Sequence, residues 1–159
     1  MSVQIGDMLP YGNFLVMSES GPHEIDVKAF FSGKRVLMFA VPGAFTPTCS
    51  AKHLPGFVEH YEAFKERGVD DVVCLSVNDV FVRDAWGKAH GADRIVMASD
   101  NLAEFTTALG LEVNVAKAKM GLRSRLYAMM VENGIIQQLW LEETGVFGIS
   151  AAENVLNQI

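Results

Sequence analysis

The chain has 159 residues, half of them hydrophobic and a fifth charged, with a formal net charge of −6. This length suits one domain with a real core, and the composition is that of a globular protein, not a disordered one. The acidic balance and the absence of a basic patch argue against nucleic-acid or anionic-membrane partners, and no window approaches the ~18 apolar residues of a membrane span.

The first twenty residues show neither a basic start nor a long apolar run, so no signal peptide is expected. Cys49 and Cys74 are the two cysteines of the chain. They do not make a disulfide framework, and a reducing, cytoplasmic compartment is the expected location.

Val36 to Val41 is an uninterrupted apolar run of strand length. Without alternation, it reads as a strand buried on both faces, in a parallel or mixed sheet with helices on each side. Pro42-Gly43 ends it. From Pro47 to Arg67 the apolar spacing is helical, with Leu54, Phe57, Val58, Tyr61 and Phe64 on one face and Gly68 as the C-terminal cap. Pro55 inside this stretch predicts a kink or break. Asp71 to Val77 reads as a second buried strand, followed by a helix capped by Asn78 or Asp79 and running to about Ala89. Residues 94–98 suggest a third strand and 101–109 a short helix ending at Gly110. Tyr127 to Val131 and Ile135 to Leu141 flank Asn133-Gly134, a strong hairpin signal. Ser150 with Glu153 spells a capping box for a last helix. Strand–helix alternation followed by a hairpin and a helix gives an α/β fold, a central mixed sheet with helices on both faces, in a single domain over residues 1–159. A cysteine at the strand-to-helix turn of such a domain suggests the thioredoxin-like class.

That cysteine is Cys49. Thr46 is a good N-cap and Pro47 suits the first helical position, which puts Cys49 in the first turn. Unpaired N–H groups and the positive end of the helix dipole favour negative charge there, and the thiolate is the reactive form of cysteine. Thr46 lies one turn back, where its hydroxyl can reach the same sulfur. The competing reading makes Thr46 only a cap and Cys49 a buried apolar filler.

The run PGAFTPTCS followed by KHLPGF closely resembles the active-site segment of the peroxiredoxins of the type II or peroxiredoxin 5 group, with Pro42, Thr46 and Cys49 on its Pro-x-x-x-Thr-x-x-Cys pattern. The resemblance continues through Cys74 to Asp79, Ala85-Trp86, Arg123 to Met129 and Ser150 to Glu153, over nearly the whole chain. It implies a thioredoxin-fold thiol peroxidase that reduces hydrogen peroxide and alkyl hydroperoxides through a sulfenic acid on Cys49. It further implies that Pro42 shields the thiolate, and that Thr46 and the backbone N–H groups of Thr48 and Cys49 bind the peroxide oxygens. No metal or other cofactor is expected; a metal reading of Cys49, His53 and His60 is weak at that spacing. Glutathione with glutaredoxin, or thioredoxin, is the expected reductant, and a homodimer is a possible assembly.

One departure stands out. The family pattern places an arginine directly before the aromatic residue of the following strand, where this chain reads Arg123-Ser124-Arg125-Leu126-Tyr127. Leu126 holds the arginine position. A one-residue shift along a strand turns a side chain to the other face, so Arg125 is not an automatic substitute; Arg125 or Arg123 could reach in through a bulge. The expected consequence is reduced but not absent peroxidase activity. Cys74 reads as a small core residue, with a resolving thiol as the alternative. His53, one turn after Cys49, is either a packing residue or a neighbour that polarises the thiol or meets the reductant. Trp86 reads as core or pocket wall. The rival function is a redox sensor or chaperone-like protein that oxidises Cys49 with little turnover; a thiol hydrolase lacks a His–Asp pair near Cys49.

Overall fold

The computed structural model describes the backbone of residues 1–159 and the side chains of all but Cys49 and Ser50. Seven strands form one sheet in the order β2-β1-β5-β4-β3-β8-β9. They are β1 (Asn13–Ser18), β2 (Gly21–Asp26), β3 (Arg35–Ala40), β4 (Asp71–Ser76), β5 (Val96–Ser99), β8 (Tyr127–Glu132) and β9 (Ile135–Leu141). The central β3, β4 and β5 are parallel, and β1, β2, β8 and β9 add antiparallel edges. A separate antiparallel ribbon pairs β6 (Glu112–Val115) with β7 (Gly121–Ser124).

The apolar run of β3 explains the layering. Leu37, Phe39 and Val41 point into one core, shared with Leu54, Phe57, Phe64, Trp86 and Val155 from α2 (Leu54–Glu59), α3 (Tyr61–Glu66), α4 (Val80–Ala89) and α6 (Ala152–Asn157). Val36, Met38 and Ala40 point into the other, against Val27 and Phe31 of α1 (Val27–Phe31) and Phe105 and Leu109 of α5 (Glu104–Leu109). Both faces of a parallel strand are covered, so no polar alternation survives in its sequence. Each fully buried Leu, Phe or Met contributes about 1.5–3 kcal/mol, and a charge at position 38 or 39 would break one of the two cores.

Local signals account for most boundaries. Asp79 caps α4 by accepting from Val82 N at 2.9 Å. Asn133 (φ 49°) and Gly134 (φ 79°) form the two-residue turn between β8 and β9, where two left-handed residues match the strand twist. Gly68 and Gly110 take the left-handed conformation that ends α3 and α5.

One expectation is met and two need correction. The break expected at Pro55 interrupts the helical stretch over 47–67: a π-helical turn spans Cys49–His53, α2 follows, and the chain breaks a second time at His60 before α3. Pro55 sits in the first turn of α2. It has no N–H to give to the carbonyl one turn back, and the ladder widens just before it. The Ser150–Glu153 capping box does not form; the N-cap of α6 is Ala151 without a side-chain bond, and Ser150 instead bonds Glu142. The helix expected over 101–109 begins at Glu104, because the Asp100 carboxylate accepts from Phe105 N and Thr106 N and takes the capping role. The β1–β2 hairpin, α1 and the β6–β7 ribbon carried no sequence signal strong enough to be read.

Candidate active site

Beyond β3 the chain passes through Pro42 and turns sharply before the helical segment that opens at Pro47. Five bonds fix this turn. The Thr46 hydroxyl donates to the Gly43 carbonyl at 2.7 Å. Ala44 N donates to Asn78 Oδ1 at 2.9 Å, and the same oxygen accepts from Ser76 Oγ at 2.7 Å. Arg123 Nη1, from β7, donates to the carbonyls of Val77 at 3.0 Å and Pro42 at 3.5 Å. Gly43 tolerates no larger residue without movement: a Cβ there would lie 2.8 Å from Met120 Cε and 3.1 Å from Thr46 Cγ2. Phe45 is held at φ 61°, a strained conformation for a bulky residue, with its ring centroid 6.5 Å from that of Trp86.

These bonds decide what Thr46 offers. A hydroxyl has one proton, and here it goes to Gly43, so the oxygen presents lone pairs to whatever lies in front of it. That bond runs back into the turn, and the acceptor lone pairs that an N-cap turns toward the helix start remain on the Thr46 oxygen. Pro47 and Thr48 are helical, as expected, and the π-helical turn begins at Cys49. The side chain of Cys49 lies outside the described residues.

A cavity of about 410 Å³ opens in front of this segment. Pro42, Thr46, Thr48, Arg125, Leu126 and Phe147 all line it. Four of the residues singled out in the sequence, Pro42, Thr46, Thr48 and Arg125, thus meet at one place, together with Leu126. Arg125 and Leu126 belong to neither β7 nor β8 but to the two-residue link between them. Strand alternation does not apply in that link, which is why adjacent side chains reach the same cavity. Arg125 donates from Nη2 to the Glu142 carbonyl at 2.8 Å. Arg123 does not line the cavity and serves the turn from behind.

Beneath the cavity lies a buried polar network. His53 is fully buried among the rings of Phe39, Phe57 and Phe147, with centroids 5.0, 5.5 and 5.2 Å away. Its Nε2 is 3.2 Å from the Ser150 carbonyl and 3.4 Å from Ser150 Oγ. A carbonyl only accepts, so this contact assigns the proton to Nε2 and leaves Nδ1 an acceptor, without a partner among the described residues. Burial pulls the His53 pKa down to about 4, against smaller opposing effects of the Ser150 carbonyl and the Glu142 charge. Glu142 Oε2 accepts from Gly148 N at 2.6 Å, Ser150 N at 2.9 Å and Ser150 Oγ at 2.8 Å. Burial pushes its pKa up, but the Gly148 and Ser150 bonds outweigh that and hold the carboxyl below its ordinary range. Asn78 and Glu142 were missed as site residues, and Arg123, expected as a candidate to reach in, instead bonds the turn. Asn78 was visible only as a possible cap, and nothing in the sequence pairs Glu142 with Ser150.

Cys74 is fully buried in β4, flanked in register by Phe39 and Met97. Its carbonyl accepts from Arg83 Nη2 at 2.7 Å. It does not line the cavity. Trp86 is likewise fully buried, in the core next to the turn.

The redoxin family model matches residues 4–156. The chain belongs to the peroxiredoxins. It is 42% identical to the chloroplastic Peroxiredoxin-2E of Arabidopsis thaliana over 99% of this chain and 70% of that protein. Among solved structures it resembles the reduced Prx3 of Vibrio vulnificus in complex with hydrogen peroxide, with 43% identity, TM-score 0.96 and 98% of each chain covered. A Plasmodium falciparum 1-Cys peroxiredoxin matches with 32% identity, TM-score 0.91 and 96% of each chain covered. The fold is the thioredoxin-like fold of this family, of the type II or peroxiredoxin 5 kind, and the chain is a thiol peroxidase.

Proposed function

We propose that Cys49 is the peroxidatic residue, reducing hydrogen peroxide and alkyl hydroperoxides. Its thiolate attacks the terminal peroxide oxygen. An S–O bond forms as the O–O bond breaks, sulfur is oxidised by two electrons to the sulfenic acid, and the alkoxide or hydroxide leaves with a proton from water. The observation that supports this reading is the Thr46 hydroxyl bonded to Gly43. Its oxygen can accept the peroxide O–H proton and so aim the terminal oxygen at the start of the helix. Thr48 and Cys49 offer backbone N–H groups at the same helix start, where developing negative charge is stabilised. Pro42 covers one wall. Arg125 supplies the cation of the cavity in place of Leu126.

Regeneration uses an external thiol. Cys74 is buried and away from the cavity, so glutathione condenses with the sulfenic acid, releasing water, and a second thiol reduces the mixed disulfide. Glutathione with glutaredoxin, or thioredoxin, in a reducing cytoplasm fits this cycle. A homodimer is the proposed assembly, with the exposed Phe45 of the site turn as a contact, and sedimentation at micromolar concentration reads it. The test of the cycle is steady-state peroxide consumption with glutathione plus glutaredoxin beside thioredoxin plus its reductase, with Cys49→Ser as the blank. Turnover abolished in the blank supports the enzyme and the better donor names the reductant. Oxidation of Cys49 that stalls after one equivalent with both donors favours the sensor, a reading to which Leu126 gives weight.

A further inference from the structure

The cavity is larger and less polar than its smallest substrate requires. Hydrogen peroxide has roughly the bulk of two water molecules, about 60 Å³ at ~30 Å³ each, in a cavity of about 410 Å³. The remainder is walled by Val113 and Val115 of β6, Val146 and Phe147 of the loop after β9, and Leu126. Leu126 also packs on the core beneath. It presents methyl groups where an arginine would present hydrogen-bond donors to a small polar peroxide. Among the described residues, the charged side chains lining the cavity are Arg125, Glu142 and Glu143. Glu142 stays ionised through its bonds to Gly148 and Ser150, so a further anion entering the cavity is disfavoured.

We propose that this site selects an uncharged hydroperoxide whose second oxygen carries an apolar group, over both hydrogen peroxide and anionic hydroperoxides, and that Leu126 is the residue that sets the preference. The inference rests on Cys49 as the reacting thiol. The step is unchanged: the terminal oxygen passes to sulfur and the apolar alcohol leaves after taking a proton from water. The apolar group, buried against Val113, Val115, Phe147 and Leu126, keeps the peroxide in place where no arginine at position 126 does.

The test is the second-order rate constant for oxidation of the reduced protein, followed by intrinsic tryptophan fluorescence in rapid mixing, so that no reductant enters. The probes are hydrogen peroxide, cumene hydroperoxide, and linoleic acid hydroperoxide beside its methyl ester. Cumene hydroperoxide is expected to react at least tenfold faster than hydrogen peroxide, about 1.4 kcal/mol in barrier, and the ester faster than the acid. Leu126→Arg is expected to raise the hydrogen peroxide constant and erase the tenfold ratio. Equal constants for cumene hydroperoxide and hydrogen peroxide in the unaltered protein, an acid that matches or beats its ester, or a ratio that survives in folded Leu126→Arg, overturns the inference. Reaction that persists in Cys49→Ser overturns the assignment of Cys49 instead, which separates the two failures. The acid–ester and cumene comparisons on the unaltered chain decide the matter even if Leu126→Arg does not fold.

Discussion

Arg123 and Pro42 stand 81 residues apart, and the guanidinium of one lies 3.5 Å from the carbonyl of the other. The same side chain reaches Val77 O at 3.0 Å and Met120 O at 2.9 Å. One half-buried arginine thus joins the ends of β3 and β4 to the β6–β7 ribbon, and the turn that carries Thr46 is fixed from behind. Arg123→Met keeps the aliphatic stem and removes these donors. It should cost about 1–3 kcal/mol of stability, the range for buried carbonyls left unpaired, and lower the rate of Cys49 oxidation because the turn is no longer held. Urea denaturation and rapid-mixing kinetics on the same preparation check both; an unaltered oxidation rate would show that the turn needs no such support.

Thr46→Val preserves shape and deletes the hydroxyl. The peroxide then loses an oriented acceptor, and the expected loss in kcat/KM is on the order of 10²-fold, comparable to removal of one positioned polar group in an active site. Thr46→Ser should recover most of it, since the bond to Gly43 can re-form.

His53 makes stability depend on pH. Its folded pKa is about 4, below the ordinary 6.5, because burial disfavours the charged ring. The unfolded chain therefore binds the proton first. The stability at stake is fully present above pH 6.5 and is lost as pH falls toward 4. Between pH 7 and pH 5 the loss should be about 2 kcal/mol. His53→Phe, placed among Phe39, Phe57 and Phe147, should remove that part of the pH dependence, read as the difference between denaturation curves at the two pH values.

Glu142→Gln weakens three bonds that now end on a carboxylate. Charge-assisted bonds are about twice as strong as neutral ones, so a loss of about 1–3 kcal/mol is expected. Hydrogen exchange at Gly148 N and Ser150 N should speed up selectively, because both amides donate to Oε2.

Cys74→Ala tests the role of the second thiol. An external reductant makes turnover independent of it, so kcat should hold within about twofold while stability falls by about 1–2 kcal/mol for the small buried void. A collapse of turnover with intact folding would instead mark Cys74 as the resolving thiol.

Much of this was legible in the chain because it is local. The β3 run, the Asp79 cap, the Asn133-Gly134 hairpin and the Thr46-Pro47-Thr48-Cys49 helix opening each depend on neighbours within a few residues, and backbone sterics and hydrogen bonding fix them wherever they occur. Ser150 shows the limit. Its spacing to Glu153 spells a capping box, yet its hydroxyl goes to Glu142, where a buried carboxylate gains more from it than an exposed helix end does. Arg125 and Leu126 show it again. Alternation would separate them, but the link between β7 and β8 is not a strand, and both reach the cavity.

The sequence by itself determined the two-faced sheet and the placement of Cys49 at a helix start, since hydrophobic patterning and capping are read along the chain. Only the tertiary structure decided that Arg123 would hold the Pro42 turn, that Ser150 would link Glu142 to His53, and that Leu126 would join Val113 and Phe147 in one apolar wall. Those partners are distant in the chain, and nothing but the packing of the whole domain sets their distances.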